Sequence, residues 1–198
     1  MSTFFDEMKT SFEAVPRKEG EISTLEFLEA SESLVKLFDL LGSSAFSIVQ
    51  SDMNGNINKV SSKFLSDPIN CDTLQKLILT EVKEKGKKTA TQGLLWLTRG
   101  LQFTAVAMRK CIDNQTWELS KCFESAYGET LTKYHSMLVR PVFKLAMKAC
   151  PYRKDFFEKL GNDLTKVNEQ LLAWVSSLES VVEEIMKFFE SGNYGKGL

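Results

Sequence analysis

Helical periodicity runs through nearly the whole chain, and it restricts the fold more than any other feature. Apolar residues recur every three or four positions in "GLLWLTRGLQFTAVAMRKC" and in "LTKVNEQLLAWVSSLESVVEEIMKFFE". That spacing places them on one side of a helix, whereas a half-buried strand requires strict alternation of polar and apolar residues. Alternation over the length of a strand is hard to find in this sequence. The sequence therefore predicts an all-α protein.

The length and the charge of the chain limit the classes of protein it can be. A length of 198 residues suits one sizeable domain and is short for two. No internal repeat or linker-like stretch divides it, so we predict a single domain over residues 1–198. The 25 basic and 26 acidic side chains leave a net charge of −1, so only a local basic patch could attract nucleic acid. We therefore expect no nucleic-acid partner.

The cysteines and the histidine give no sign of a metal or cofactor site. Cys71, Cys111, Cys122 and Cys150 are far apart without a CxxC pair, and the chain has one histidine. This usage predicts neither a zinc site nor a disulfide framework, and it suits a reducing compartment. No signal peptide is recognisable, and no stretch approaches the roughly 18 apolar residues of a membrane span. We expect a cytoplasmic protein without cofactors that meets membranes only from outside.

Local signals predict several boundaries of the helices. Two residue pairs have the spacing of a capping box at a helix start: Ser23 with Glu26, and Asp72 with Gln75. Gly42 and Gly86 predict the ends of the two helices that these boxes open.

The remaining boundaries are predicted from composition and from one proline. A short helix is expected from Trp117, and another through "TLTKYHSMLVRPVF". Pro141 should kink or interrupt the latter helix, because proline lacks a backbone N–H and clashes with the preceding turn. Residues 15–22 and 64–71 are expected to be ordinary surface loops.

The segment "SDMNGNINKV" carries polar residues at helical spacing. On a helix Asp52, Asn56 and Lys59 share one face, beside an apolar stripe that contains Met53 and Ile57. The polar face is either a binding surface or a plain solvated face whose ion pair contributes about 0.3 to 0.5 kcal/mol. On spacing alone the solvated face is the slightly better interpretation.

Two aromatic side chains have a similarly open interpretation. Trp96 and Gly100 share a face with Phe103 and Ala107, so the indole next to a glycine could form a ledge for a flat ligand. The plainer interpretation, favoured by spacing alone, is a core helix in which Gly100 permits close packing. His135 lies in an apolar setting and is, by itself, more typical of a core histidine with a satisfied hydrogen bond.

No catalytic constellation accompanies these residues. The sequence has no GxSxG elbow, HExxH pair, phosphate-binding glycine loop or paired catalytic carboxylates. Asp52 as a general base stays open, but nothing supplies the rest of a catalytic set, so we expect no enzyme.

Taken together, five side chains make a set that suits a sugar: Asp52, Asn56, Lys59, Trp96 and His135. A carboxylate, an amide and an ammonium accept from and donate to adjacent hydroxyls, and an indole face packs against the C–H face of a sugar ring. The set therefore indicates sugar binding.

Four segments closely resemble the glycolipid transfer protein family, including its fungal heterokaryon-incompatibility members. They are "LGSSAFSIVQSDMNGNINKV", "GLLWLTRGLQF", "YHSMLVRPVF" and "PYRKDFFEKLG". They occur in the family's order, the likeness spans almost the whole chain, and the D-x-x-x-N-x-x-K, LLWL and YH motifs are specific in combination. The resemblance implies a two-layer, all-α sandwich that encloses one lipid pocket, and non-enzymatic transfer of glycosphingolipids between membranes.

The resemblance also implies a role for each side chain of the set. Trp96 would stack on the first sugar, whose hydroxyls would bind to Asp52, Asn56 and Lys59. Asp52 would also accept from the ceramide amide N–H, and His135 would donate to the amide carbonyl. The candidates for lining the pocket of the lipid chains are Phe38, Phe46, Val49, Phe103 and Phe143. A ceramide needs such a pocket, because its roughly thirty methylenes cost about 0.8 kcal/mol each in water.

The headgroup positions distinguish two branches of this family. In the branch that carries ceramide-1-phosphate, cationic side chains replace the asparagine and the tryptophan. Here Asn56 and Trp96 are present, and Gly100 stands where that branch has a second arginine. The glycolipid branch is favoured, with a phosphosphingolipid carrier or a helical interaction module as alternatives. The choice of sugar, the role of Tyr194 and the task (transfer, sensing or delivery) stay open.

A mostly monomeric protein would contact membranes transiently. Met137 occupies a position where relatives have a tryptophan or phenylalanine thought to help in docking. The best candidate patch for docking is formed by Tyr152, Arg153 and Lys154, beside Phe156 and Phe157. The alternative is an ordinary helix start whose phenylalanines belong to the core.

Overall fold

Helices make up most of the structure. The computed structural model describes residues 2–42 and 44–198, so that Met1 and Ser43 lie outside the described residues. The described part contains nine α-helices: α1 Thr24–Val35, α2 Leu37–Leu40, α3 Ser47–Ser66, α4 Leu74–Lys83, α5 Thr89–Asp113, α6 Leu119–Glu129, α7 Arg140–Lys148, α8 Arg153–Leu160 and α9 Leu164–Ser191. The predicted all-α class is confirmed. None of these described helices is long and apolar enough to cross a bilayer.

Helix α5 is the centre of the packing. It contacts α3, α4, α6 and α9. Both sides of this helix carry fully buried side chains: Leu94, Leu97 and Leu101 on one side, and Phe103 and Ala107 on the other. Helix α5 is therefore buried on two sides, and its burial fixes the positions of the shorter helices around it.

The predicted loop 15–22 instead contains a small antiparallel hairpin. Strands β1 (Arg17–Lys18) and β2 (Glu21–Ile22) pair across a turn in which Glu19 and Gly20 both have positive φ, 54° and 79°. Two consecutive residues of this kind form the tight turn that suits the twist of a hairpin.

The hairpin also explains why the predicted capping box at α4 is wrong. The Gln75 amide accepts from the Ile22 backbone N–H at 2.9 Å and donates to the Gly20 carbonyl at 3.0 Å, so it holds the hairpin. The helix is capped by Thr73, whose hydroxyl accepts from the Lys76 N–H at 3.3 Å. Asp72 therefore lies before the cap.

The helix predicted from Ser23 to Gly42 is interrupted. Ser23 is at the N-cap position, but its hydroxyl donates to the Glu26 carboxylate and caps no backbone N–H. The helix breaks at Lys36, between α1 and α2. Gly42 lies just past α2 with a φ of 66°, a left-handed conformation that glycine adopts readily.

The connections around α4 also differ from the prediction. Helix α3 continues to Ser66, so the loop predicted at 64–71 begins only at Asp67. Helix α4 ends at Lys83, before Gly86. The Lys88 ammonium donates to the carbonyls of Val82, in the last turn of α4, and of Glu84, just after it. The buried Glu81 carboxylate accepts from two backbone N–H groups in the first turn of α5, those of Ala90 at 2.9 Å and Thr91 at 2.7 Å.

Residues 130–139 form a series of turns instead of the predicted helix. Helix α6 begins at Leu119, two residues after Trp117, and ends at Glu129, and α7 begins at Arg140. Pro141 lies in the first turn of α7, where its missing N–H costs no helical hydrogen bond, so it opens this helix and does not kink it. The Arg140 Nε atom donates to the carbonyls of Thr132 and His135, at 3.1 and 3.0 Å, and holds the turns in place.

Candidate functional site

The polar side chains of α3 form a hydrogen-bonded row. The Lys59 ammonium donates to the Asn56 side-chain oxygen at 3.0 Å, and the Asn56 amide nitrogen lies 3.4 Å from an Asp52 carboxylate oxygen. Asn56 is only 3% exposed, whereas Asp52 and Lys59 are exposed. The row is therefore a fixed arrangement with a buried centre, unlike the plain solvated face.

Close packing of α5 against α3 depends on Gly93, a residue that belongs to none of the predicted motifs. A Cβ atom on Gly93 would lie 2.8 Å from the Lys59 Cβ atom and 3.2 Å from the Asn56 carbonyl oxygen. At Gly100, the predicted packing glycine, a Cβ atom would make only ordinary contacts of 3.5 to 3.7 Å with Met53. Gly93 precedes Trp96 by three positions, so helical spacing alone could have pointed to it.

Trp96 faces the row from α5 within a group of rings. Its indole is nearly parallel to the His135 imidazole, with 6.1 Å between ring centroids, and meets the Tyr134 ring edge-on at 6.3 Å. The Arg99 guanidinium lies 3.7 Å from the Tyr134 ring centroid and 4.7 Å from that of Trp96. These contacts restrict the position of the indole.

A cavity of about 570 Å³ brings all five headgroup candidates together. Its walls are formed by Ile48, Asp52, Asn56, Lys59, Gln92, Trp96, Tyr134, His135, Ser136, Val139 and Phe143. A groove of about 670 Å³ lies elsewhere, beside Arg153 and Lys154, and is lined by none of the five. We assign the site to the smaller cavity because its polar groups converge.

The surroundings of the cavity shift the pKa of two of its groups. Desolvation raises the pKa of Asp52, although the charges of His135 and Lys59 oppose the shift. Burial lowers the pKa of His135, and Asp52 opposes that shift. The imidazole is therefore neutral at pH 7 and has one N–H to donate. Its Nδ1 atom lies 3.0 Å from the Tyr127 hydroxyl.

Behind the cavity, aromatic rings form a continuous path into the core. Phe143, which lines the cavity, lies 4.4 Å from the His135 ring centroid and stacks on Tyr127 at 5.7 Å. The path continues through ring contacts of 5.7 to 6.4 Å in the order Phe103, Phe123, Phe46 and Phe38. All five predicted chain-lining residues, including Val49, are buried. Their role with lipid chains stays a prediction, and Tyr127 and Phe123 were missed because neither carries a motif.

The docking candidates differ in exposure. Met137 is 83% exposed and its neighbour Leu138 is 87% exposed, and both lie between the cavity-lining residues Ser136 and Val139. Leu138 was not predicted. The structure therefore places two exposed apolar side chains at the edge of the cavity.

The segment at the start of α8 is only partly available. Tyr152 is 74% exposed, but Phe156 and Phe157 are core residues, as the alternative interpretation held. The Arg153 guanidinium lies 4.5 Å from the Phe157 ring centroid, and Lys154 pairs with Glu158 on the same helix.

Comparisons with known proteins identify the family of the chain. The family described as "Glycolipid transfer protein (GLTP)" matches residues 22–162. The chain belongs to the glycolipid transfer protein family. A glycolipid transfer protein of Aureobasidium melanogenum is 51% identical over 189 residues, covering 96% of this chain and 94% of that protein.

Two solved structures confirm the glycolipid transfer protein fold, the predicted two-layer helical sandwich. HET-C2, described as a fungal glycolipid transfer protein, has a TM-score of 0.91 and 47% identity, covering 95% of this chain and 97% of its own. FAPP2, described as selecting simple glycosphingolipids with this fold, has a TM-score of 0.88 and 30% identity, covering 98% and 97%.

Proposed function

We propose that this protein binds one glycosphingolipid with a single sugar, such as glucosylceramide or galactosylceramide, and moves it between membranes without changing it chemically. The observation that carries the proposal is the cavity in which a row of a carboxylate, an amide and an ammonium faces an indole and an imidazole, with aromatic rings leading inward. The names of the relatives support the same ligand class. Binding and release make and break no covalent bond, so the proposal includes no enzyme activity.

The row on α3 suits a sugar because it offers both donors and acceptors. Asp52 accepts from adjacent hydroxyls and from the ceramide amide N–H. The Asn56 amide is oriented by its contact with Lys59, so its remaining groups meet the sugar in one fixed direction. The Trp96 face supplies the flat apolar surface against which sugar C–H groups pack.

Neutral His135 completes the headgroup contacts by donating to the amide carbonyl of the ceramide. The lipid chains would follow the path of rings behind it. Because those rings contact one another in the structure, the chains can enter only as Phe143 and the rings behind it separate.

A phosphosphingolipid is the less suitable ligand. Among the described residues that line the cavity, Lys59 is the one lysine or arginine. A phosphate is best held by several cations, above all by arginine forks. At Asn56 and Trp96 the cavity offers neutral groups and not such cations.

We infer that the protein reaches its lipid by transient contact of the cavity edge with a membrane. Met137 and Leu138 are exposed there, and apolar side chains at such a position gain by entering the bilayer interface. Tyr152 would add an aromatic contact, while Arg153 and Lys154 already contact Phe157 and Glu158. A monomeric state and a cytoplasmic location stay predictions.

A vesicle assay tests the ligand class. Donor vesicles would carry fluorescent glucosylceramide or ceramide-1-phosphate with the same acyl chain, and transfer to acceptor vesicles would be followed with and without protein. We expect faster transfer of glucosylceramide. Faster transfer of ceramide-1-phosphate would overturn the proposed headgroup.

Native mass spectrometry of protein purified from a eukaryotic host provides an independent test. A co-purifying hexosylceramide supports the proposal, and a phosphosphingolipid supports the other branch. A protein that co-purifies with no lipid and binds none of those added would be a helical interaction module.

A further inference from the structure

A buried tyrosine contacts the imidazole of the site from behind. Tyr127 lies on α6, is 2% exposed, and its hydroxyl oxygen is 3.0 Å from the Nδ1 atom of His135. Its ring also packs on Phe143 and on Phe103. Tyr127 does not line the cavity, so any effect on a ligand must act through His135.

The direction of this hydrogen bond follows from the chemistry of the two groups. Burial raises the pKa of Tyr127, so the phenol keeps its proton at neutral pH. A buried hydroxyl requires an acceptor. The Thr132 side chain also lies near the phenol, but the Nδ1 atom is the partner at hydrogen-bond distance, 3.0 Å. A neutral imidazole can accept at Nδ1 only when its proton is on Nε2.

We propose that Tyr127 is a positioning residue that holds His135 in the tautomer with the proton on Nε2 and turns that N–H towards the cavity. The Nε2–H group is then ready to donate to the amide carbonyl of a ceramide without first reorienting. This role rests on the proposed function, because it concerns how His135 meets that carbonyl.

The first test uses the ligand-free protein and the only imidazole in the chain. In long-range proton–nitrogen spectra, wild-type His135 should show an unprotonated, hydrogen-bonded Nδ1 and a protonated Nε2. In Tyr127→Phe the two nitrogen shifts should move towards each other as both tautomers become populated. Tyr152→Phe, which removes a hydroxyl from an exposed ring, should leave both shifts unchanged.

The same spectra report the pKa of His135. The charged groups that act on this imidazole are Asp52 on α3 and Arg140 on α7. The Tyr127 hydroxyl lowers the pKa of His135 further. It stabilises only the neutral ring, because a protonated Nδ1 cannot accept its hydrogen bond. The pKa of His135 should therefore rise in Tyr127→Phe.

The second test measures affinity for two lipids that share a sugar. Tyr127→Phe should weaken binding of glucosylceramide by about threefold to tenfold, the range of one hydrogen bond. It should not change binding of a dialkylglycerol glucoside, which has ether-linked chains and no amide carbonyl. In a His135→Gln background, Tyr127→Phe should have no further effect on glucosylceramide.

The outcomes separate the two proposals. A wild-type proton on Nδ1, or unchanged nitrogen shifts in Tyr127→Phe, would overturn the positioning role whatever the ligand is. Equal glucosylceramide affinity in the variant and the wild type would also overturn it, while the proposed function stands. Equal weakening for both lipids would mean that the substitution acts through packing and not through the carbonyl contact. A wild type that binds no glycosphingolipid would overturn the proposed function and this role with it.

Discussion

Gly93 on α5 lies directly against Lys59 on α3, so closely that a Cβ atom on the glycine would lie 2.8 Å from the Lys59 Cβ atom. Neither atom is at the flexible end of a side chain, so an added methyl group must push the two helices apart. The contact therefore links the packing of the core to the position of the polar row.

Gly93→Ala should destabilise the protein and weaken sugar binding together. Overpacking of this kind costs about 1 to 3 kcal/mol, and displacement of α3 would move Lys59 and Asn56 away from the ligand. Urea unfolding and glucosylceramide binding would measure both effects. The matched control is Gly55→Ala on α3, where a Cβ atom meets nothing within 4 Å, and which should stabilise the helix by about 0.5 to 1 kcal/mol. Unaltered stability and binding in Gly93→Ala would show that the close approach is not required.

Asp52→Val and Trp96→Ala should each reduce transfer of fluorescent glucosylceramide by about tenfold or more. Asp52 supplies charge-assisted hydrogen bonds, which are worth about 1.5 to 3 kcal/mol, and Trp96 supplies the stacking surface. Both variants should keep the wild-type far-ultraviolet spectrum. Asn54→Val, an exposed position outside the cavity on the same helix as Asp52, should transfer normally. Normal transfer by either site variant would contradict the headgroup assignment, and loss of helix would indicate a structural role.

The stability of the protein should depend on pH through His135. Burial and Arg140 lower the pKa of His135 while Asp52 opposes them, so the unfolded chain binds this proton at a higher pH than the folded protein does. The stability contributed by the neutral imidazole is complete above about pH 6.5 and is lost as the pH falls through the folded-state pKa.

We therefore expect wild type to lose more free energy of unfolding between pH 8 and pH 5.5 than His135→Gln does. Urea unfolding at both pH values would measure the difference, and comparison with the variant removes the contribution of the carboxylates. Equal losses in the two proteins would contradict a lowered pKa.

Membrane contact should depend on the two apolar side chains at the cavity edge. Met137→Ser with Leu138→Ser should lower partitioning onto vesicles by about tenfold or more, because losing half of the burial energy of both side chains costs about 1.5 to 3 kcal/mol. Affinity for a soluble short-chain glucosylceramide should be retained. Centrifugation with sucrose-loaded vesicles would measure partitioning.

The chain offers a matched control for this pair. Leu65→Ser with Ile69→Ser removes two apolar side chains that are 70% and 84% exposed but lie outside the cavity wall. It should partition as wild type does. The triple variant Tyr152→Ala, Arg153→Glu, Lys154→Glu provides the opposing test. If it loses more vesicle partitioning than the Met137 and Leu138 variant does, the docking surface lies at the start of α8.

Much of the fold and of the site could be predicted because the signals are local. The i, i+4 and i+7 spacing of Asp52, Asn56 and Lys59 fixes a shared face as soon as α3 is helical. The repeated apolar positions of α5 likewise required burial on two sides. Family resemblance was needed to connect this row with Trp96 and His135, because these residues lie on other segments and no spacing within one helix relates them.

Two of the errors share a cause, which is that a hydrogen bond between a side chain and the backbone of another segment outweighs a local preference. Gln75 has the spacing of a capping residue, but the backbone of Ile22, 53 positions away, takes its side chain. The segment at 130–139 has helical periodicity, but Arg140 holds its carbonyls in turns.

The sequence by itself therefore determined the helical class and the composition of the polar row, since these depend on neighbours within about two helical turns. Tertiary structure alone decided the close approach at Gly93, the exposure of Leu138 beside the cavity, and the contact of Tyr127 with His135. These depend on how separate segments pack, and the free energy of packing is shared among many residues that are distant in the chain.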